Sequence, residues 1–445
     1  MRLFAAKKGG EVEGVFTFKY FFEAKYWSDV EITQVMEIQL QYIYFNPPGG
    51  GVENYFREAG NHFSRKGDRV SVFCSQHPLI PAPAREEIDS LRVLRHPYFS
   101  PGKLLHPFKP RYYLRYLKEA IGETCGEVDL FISRHPYYAR AAKLAFPGKP
   151  LVFIPPDLRT RRLREQLGGS LKDRVFYYLA RPRIDRIERD ALLSADRVIT
   201  LSLNLKRQFE DYHRIPSNLI EVVPPGVDTG RFHRREPEPR ILSELGIVPG
   251  EKIILSVSRL SPEKNLPLLL RAFSLLELKS TRLLIVGDGD ERGHLEGLAG
   301  QLGISPRVCF AGSRNDLERI YPLASVFVLP STEEPFGQVY LEAMASGLPS
   351  IGLKSDPPRT LVATEEIISD GEDGFIVEPG DPGPLARKIE SLLSNDDLRN
   401  RMGEAAIKKC SKTFNWDNHF SLIYSPPITT SGRGRSGAKN KSLRR

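Results

Sequence analysis

Two pairs of charged side chains, all four in the second half of the chain, have the types and spacing for sugar-phosphate chemistry. In SVSRLSPEKN, Arg259 stands at the end of a strand-like run, and Lys264 comes just before a helix that Asn265 is placed to cap. Ligands of open α/β sheets bind outside the carboxyl ends of the strands. Two cations there, beside a positive helix N-terminus, make a site for a pyrophosphate. Arginine offers a two-pronged fork and lysine a movable point charge. In VFVLPSTEEPFGQVYLEAMASGLP a buried strand ends at Pro330, a loop carries Glu333 and Glu334, and a helix opens near Gly337 and stops by Gly347. Glu342 falls one turn inside that helix, on the face of Gln338. Two carboxylates beside the amides of Gly337 and Gln338 can hold sugar hydroxyls through charge-assisted hydrogen bonds, and Gly337 lets the backbone come close. Taken singly, each of these charges reads equally well as a solvated surface group or a helix-start partner.

These residues need a scaffold of parallel strands, and the pattern supplies one. From Met36 the text runs MEIQLQYIYF, NPPGGG, ENYFREAGNHFSRKG and DRVSVFC, which is a strand, a glycine-rich turn, a helix and a strand. Further strands follow at LRVL, DLFIS, PLVFI and DRVITL, separated by helix-length segments. A Pro-, Gly- and charge-rich stretch, PPGVDTGRFHRREPEPR, reads as a linker. A second alternation then begins: KIILSVS, RLLIVG, RVCFAG, VFVLP, PSIGL and GFIVE. Between its first two strands Leu266, Leu269, Leu270 and Phe273 fall at helical spacing. Near-continuous apolar strands alternating with helices predict right-handed βαβ units with both sheet faces covered. The expected architecture is two tandem Rossmann-like, doubly wound α/β domains with a cleft between them. Residues 36–235 form the first, 240–412 the second, 413–424 a closing helix, 425–445 a basic tail without period, and 1–35 an extension before the first strand.

The chain has 445 residues, 40% hydrophobic and 27% charged, which excludes wholesale disorder and collagen-like structure. Cys74, Cys125, Cys309 and Cys410 lie far apart with no C-x-x-C pair, against a disulfide scaffold or structural zinc site and in keeping with a reducing cytosol. No apolar run reaches the roughly 18 residues of a membrane-spanning helix. The reading is a cytoplasmic protein. Lys and Arg exceed Asp and Glu by 64 to 55. Between Asp89 and Glu119 seven basic side chains interleave with aromatics and no acid intervenes. Segment 90–118 is thus either a patch for an anionic membrane surface, making the protein peripheral there, or a solvated loop. No zinc-finger, RNP or helix-turn-helix signature supports nucleic-acid binding.

The pattern Arg259-x4-Lys264, followed by Glu334-x7-Glu342 within EPFGQVYLEAMASGLP, resembles retaining glycosyltransferases of family 4, which have the GT-B fold. GGGVENYFREAGNHFSRKGDRVSVF, VVPPGVDTGRF and DGEDGFIVEPGD extend the resemblance over roughly residues 36–424. It implies transfer of a hexose-type sugar from a UDP- or GDP-linked donor to a glycan or lipid-linked acceptor, with retained anomeric configuration and no metal or other cofactor. It implies that Arg259 and Lys264 hold the diphosphate, Glu334 the donor sugar and Glu342 the ribose. Phe336, Gly337 and Gln338 complete the donor site, and Gly50 and Gly51 form the acceptor-domain loop that approaches the phosphates. A histidine near the donor sugar maps to His135 in VDLFISRHPYYAR, although the spacing from Asp129 suits Arg134 equally, and a lone histidine is also commonly structural. Pro225 stands where the family usually has Asn, FIPPD replaces a histidine-containing strand end, and GLKSDPPRTLVATEE is longer than usual.

Asp288-Gly289-Asp290 has the form of a metal-binding D-x-D, but RLLIVGDGDERG reads as a strand entering a glycine turn. Three alternatives stay open. A sugar-nucleotide epimerase or a phosphorylase would share the fold, the latter needing a cofactor lysine pattern that is absent. An oxidoreductase would need G-x-G-x-x-G after the first strand with an acid about 20 positions on, and neither NPPGGGVEN nor VGDGDERG provides it. A non-catalytic membrane-surface binder predicts the basic patch without the diphosphate pair.

Overall fold

The computed structural model describes residues 35–45, 50–99, 109–124, 126–159, 171–278 and 280–424. The extension over 1–34, the tail 425–445 and the central part of segment 90–118 lie outside them.

Strands of the first lobe are β1 Glu37–Gln41, β2 Arg69–Ser75, β3 Arg85–Ile88, β4 Leu91–His96, β5 Leu130–Ser133, β6 Leu151–Phe153, β7 Arg197–Thr200 and β8 Ile220–Val222. They form one sheet in the order β3-β4-β2-β1-β5-β6-β7-β8. Every pairing is parallel except β3 with β4. Six of these strands match apolar runs in the sequence. The other two, β3 and β8, are short edge strands; REEI is charged and half-exposed, so it carries no buried-strand signal. Side chains alternate across the sheet, as a parallel strand covered on both faces demands. Phe131 of β5 enters one core while Leu130 and Ile132 enter the other. Helices α1 Gly51–Arg65, α2 Lys109–Thr124 and α3 Pro136–Ala145 cross between strands.

The second lobe repeats the plan with β9 Lys252–Val257, β10 Thr281–Val286, β11 Val308–Gly312, β12 Val326–Leu329, β14 Ser350–Leu353 and β16 Gly374–Val377, ordered β11-β10-β9-β12-β14-β16 and all parallel. A separate two-stranded ladder joins β13 Glu333–Glu334 to β15 Leu361–Val362. Ile254 faces one core, while Ile253, Leu255 and Val257 face the other.

The last described helix, Trp416–Tyr424, packs back on the first lobe. The His419 imidazole donates from Nδ1 to the Pro224 carbonyl at 2.9 Å, so its Nε2 accepts from the Tyr55 hydroxyl, also at 2.9 Å. Burial drives this histidine down to about 3, so it remains neutral. Trp416 stacks on Phe420, and Asp417 meets the buried His62 of α1 at 2.7 Å. Gly226 of the linker lies against this return: a Cβ there would run into the backbone of Asn415 and Trp416. The neighbouring Val227 amide donates to the Phe414 carbonyl at 3.0 Å. Gly226→Ala is therefore expected to push the two segments apart and cost about 1–3 kcal/mol, read as a lower urea midpoint with an unchanged m value.

Candidate active site

Arg259 leaves the carboxyl end of β9 and is more than half exposed; its Nη2 donates to Glu263 Oε1 at 2.8 Å. Burial acts to raise the Glu263 carboxyl, but bonds from Ser261 and Arg259 outweigh it and hold the group below the usual carboxylate range. Lys264 reaches across to the loop after β12, where its Nζ sits 2.6 Å from Glu334 Oε2; both side chains are largely buried. The same two loops are tied by the backbone, since the Thr332 amide donates to the Glu263 carbonyl at 2.9 Å. Each cation of the predicted pyrophosphate site is thus paired with a carboxylate of its own lobe. Asn265 does not cap the following helix as the sequence suggested. It occupies the cap position with a left-handed φ of 50°, and its side chain makes no capping bond.

The D-x-D look-alike has a different task. Gly287 and Gly289 adopt φ of 130° and 157°, and a Cβ on them would collide with the Ser258 and Leu260 carbonyls respectively. The glycine turn after β10 therefore braces the loop that carries Arg259, with the Leu260 amide donating to the Asp288 carbonyl at 2.9 Å. No group of three or more His, Cys, Asp and Glu among the described residues is arranged to hold a metal.

Gly337 opens the helix Gln338–Ala345 with φ of 99°, a backbone that favours glycine. A Cβ there would also lie 2.7 Å from Tyr340 Cδ2 and 3.1 Å from Glu334 Cγ. Glu342 is buried and accepts from the Tyr321 hydroxyl at 2.9 Å. Burial pushes its pKa up to about 7, with the Tyr321 bond and the Arg231 charge pulling the other way. Two predicted donor contacts have other uses for their side chains. Phe336 is buried edge-to-face against Phe414, leaving its backbone to any ligand. Gln338 donates from Nε2 to the Gly226 carbonyl at 2.7 Å, linking the donor loop to the interlobe linker.

On the first lobe, Gly50 precedes α1 with an extended backbone, and its amide is held by Glu53 Oε2 at 3.2 Å. Among the described residues a Cβ on Gly50 or Gly51 would meet nothing within 4 Å, so neither packing against them nor backbone strain demands glycine here. His135 caps α3 by position only. It is 4% exposed, stacked at 5.4 Å on Tyr137, and neither ring nitrogen has a hydrogen-bond partner among the described residues. Burial first, then the charge of Arg159, holds its pKa well below the ordinary value.

Contacts that the sequence did not disclose join the lobes at this place. The Ser202 hydroxyl, just past β7, donates to the Pro335 carbonyl in the donor loop and accepts from the Leu205 amide. Glu366 receives the amides of Leu203 and Asn204 at 2.6 and 2.8 Å, a carboxylate of the second lobe seated on a helix start of the first. It follows β15 directly, and the Ala363 amide between them donates to the Glu334 carbonyl at 3.2 Å. The carboxyl-end loops of β7 and β12 therefore touch. Segment 90–118 is less uniformly basic in space than in sequence, because Arg95 is buried and paired with Glu86.

Two parallel doubly wound lobes joined in this way, with the charged loops at the strands' carboxyl ends, have the layout of GT-B glycosyltransferases. The chain matches the model of Glycosyltransferase Family 4 over 49–231 and that of glycosyl transferases group 1 over 238–409. It is 34% identical over 227 residues to an uncharacterised glycosyltransferase of Methanocaldococcus jannaschii, covering 50% of this chain and 57% of that one. It is 33% identical over 179 residues to the lipopolysaccharide core biosynthesis glycosyltransferase LpsE of Rhizobium meliloti, covering 39% and 50%. The matches thus span about half the length of these relatives. The structure of Anabaena HepE, solved with UDP and glucose, superposes with a TM-score of 0.64 at 22% identity, covering 87% of this chain and 98% of that one. The chain belongs to glycosyltransferase family 4.

Two outcomes test the site's electrostatics. The folded state holds the Glu342 proton more tightly than the unfolded chain does, so this group's contribution to stability falls as pH rises from about 4.5 to about 7. Glu342→Gln is expected to flatten that part of the wild-type stability profile, measured by urea unfolding between pH 4.5 and 8. Glu366→Ala uncaps a helix start at the lobe junction and is expected to cost about 1–2 kcal/mol in the same assay.

Proposed function

We propose that this chain transfers a hexose-type sugar from a UDP- or GDP-linked donor to a glycan or lipid-linked acceptor, with retention of configuration and without a metal. The observation that carries the reading is the Lys264–Glu334 pair, which holds an ammonium and a carboxylate together at the carboxyl ends of β9 and β12. A diphosphate arriving there replaces Glu263 at the exposed Arg259 fork and draws Lys264 away from Glu334. The freed Glu334 carboxylate then accepts from hydroxyls of the donor sugar, and Glu342 accepts from those of the ribose.

Breaking the sugar–phosphate bond leaves negative charge on the diphosphate and oxocarbenium character on the sugar. Arg259 and Lys264 are fixed where the first develops, which lowers the barrier without the reorganisation that water would require. The leaving phosphate oxygen is then placed to take the acceptor proton on the face it departs from, so configuration is retained with no enzymic nucleophile. His135, uncharged at neutral pH by reason of its burial, contributes a hydrogen bond beside the sugar rather than a charge. The UDP bound to HepE supports a uridine donor, and the lipopolysaccharide-core role of LpsE supports a glycan acceptor. No helix among the described residues is long and apolar enough to cross a membrane. We place the protein in the cytoplasm, with the exposed Tyr98 and Tyr112 of segment 90–118 available to a membrane surface.

Isothermal titration with UDP, GDP and NAD tests the reading: a nucleoside diphosphate binds and NAD does not. Arg259→Ala and Lys264→Ala are each expected to lower sugar transfer about 10²- to 10³-fold; the exposed Arg259 change leaves the melting temperature unchanged, whereas Lys264→Ala lowers it by leaving Glu334 without its partner. NAD binding without either diphosphate, or full activity in both variants, overturns it.

A further inference from the structure

The first lobe buries two arginines at the carboxyl ends of β4 and β5 and treats them differently. Arg95, from β4, meets the carboxylate of Glu86 and donates to the carbonyls of Pro83 and Phe45. Arg134, one residue past β5, is 3% exposed and has no such partners. Its Nε is without a hydrogen bond, and no acid among the described residues lies within ion-pair distance of it. Its guanidinium lies over the Tyr55 ring of α1, 4.4 Å from the centroid. A cation–π contact satisfies the face of the group and leaves its in-plane N–H donors unused. Burying a guanidinium without an anion is costly, so a site that keeps one free has a use for it.

The surroundings point the same way. The Arg134 amide donates to the Gln41 carbonyl at the end of β1, which puts it beside the strand that feeds the start of α1. The adjoining His135 is buried with both ring nitrogens unpartnered, and Tyr42 packs against its ring. Arg159, after β6, is close enough for its charge to reach the same ring. Arg134 and His135 thus stand side by side at the carboxyl end of β5, and neither has an ion-pair partner among the described residues.

We propose that Arg134, with His135 beside it, forms an oxyanion subsite that takes a phosphate or carboxylate group of the acceptor. The planar fork suits a two-oxygen anion. The subsite belongs to the first lobe, whereas the donor diphosphate has its own cations, Arg259 and Lys264, in the second. The assignment to the acceptor rests on the glycosyltransferase reading. Binding of the anion does not.

The test uses the full chain carrying Arg259→Ala and Lys264→Ala together, so that the second-lobe site is silent. Inorganic phosphate is titrated and the melting temperature followed, with sodium chloride of equal ionic strength as the blank. Phosphate is expected to raise the melting temperature. Adding Arg134→Gln is expected to move the midpoint about ten- to hundredfold higher, the loss of one charged hydrogen-bonding group, and Arg134→Lys to restore part of it. Should Arg134→Gln not fold, His135→Phe keeps the ring packing and is expected to shift the midpoint in the same direction. In the otherwise natural chain, Arg134→Lys leaves UDP and GDP affinity unchanged. The proposal is overturned if phosphate gives no response beyond the salt blank, or if the midpoint ignores the Arg134 and His135 changes. A parallel fall in UDP and GDP affinity overturns it too, because the anion would then be the donor's. Phosphate binding through Arg134 in a protein that transfers no sugar would refute the transferase reading and leave the subsite standing.

Discussion

An ammonium group held 2.6 Å from a carboxylate, across the loops that follow β9 and β12, governs the construction of the second lobe. Neither partner is near the other in sequence, so the pair exists only because the parallel sheet sets its strand ends side by side. Much of the surrounding structure fixes those ends. The glycine turn after β10 lies tight against Ser258 and Leu260, the Thr332 amide anchors one loop to the other, and β13 pairs with β15 to hold the backbone of Glu334. Gly337, where a Cβ would lie 3.1 Å from Glu334 Cγ, borders this pair directly. The arrangement is electrically balanced, with Glu263 paired to Arg259 and Glu334 to Lys264.

The first lobe solves a different electrostatic problem. Its strand ends carry His135, Arg134 and a belt of tyrosines, and deep burial keeps the histidine neutral. One lobe therefore offers permanent charge with paired carboxylates, and the other offers uncharged donors and a buried guanidinium. The two are joined where Glu366 and Pro335 meet the segment that begins at Ser202. The junction thus lies on the peptide next to Glu334.

The sequence disclosed the fold well because fully covered parallel strands leave continuous apolar runs, and all six strands of the second lobe appear as such runs. It missed β3 and β8, where edge position or brevity removes that signal. That Arg259, Lys264 and Glu334 stand together at strand ends was legible because the ends of strands are legible. What the side chains do was less so. Asn265 looks like a cap but takes a left-handed backbone, Phe336 looks like a ligand contact but fills the core, and Asp288-Gly289-Asp290 looks like a metal site but serves as a brace. Glu366 gave no signal, since its partners lie more than 160 positions away and are backbone amides.

The closing helix Trp416–Tyr424 has a consequence for how the molecule is made. Tyr55, Phe56 and Phe63, near the start of the chain, share a core with Phe420 and Ile423, near its end. Phe420 and Ile423 follow the whole second lobe in the chain, so during synthesis this surface of the first lobe is covered only after the second has been made. A nascent chain halted after the second sheet would hold Tyr55, Phe56 and Phe63 without Phe420 and Ile423 against them.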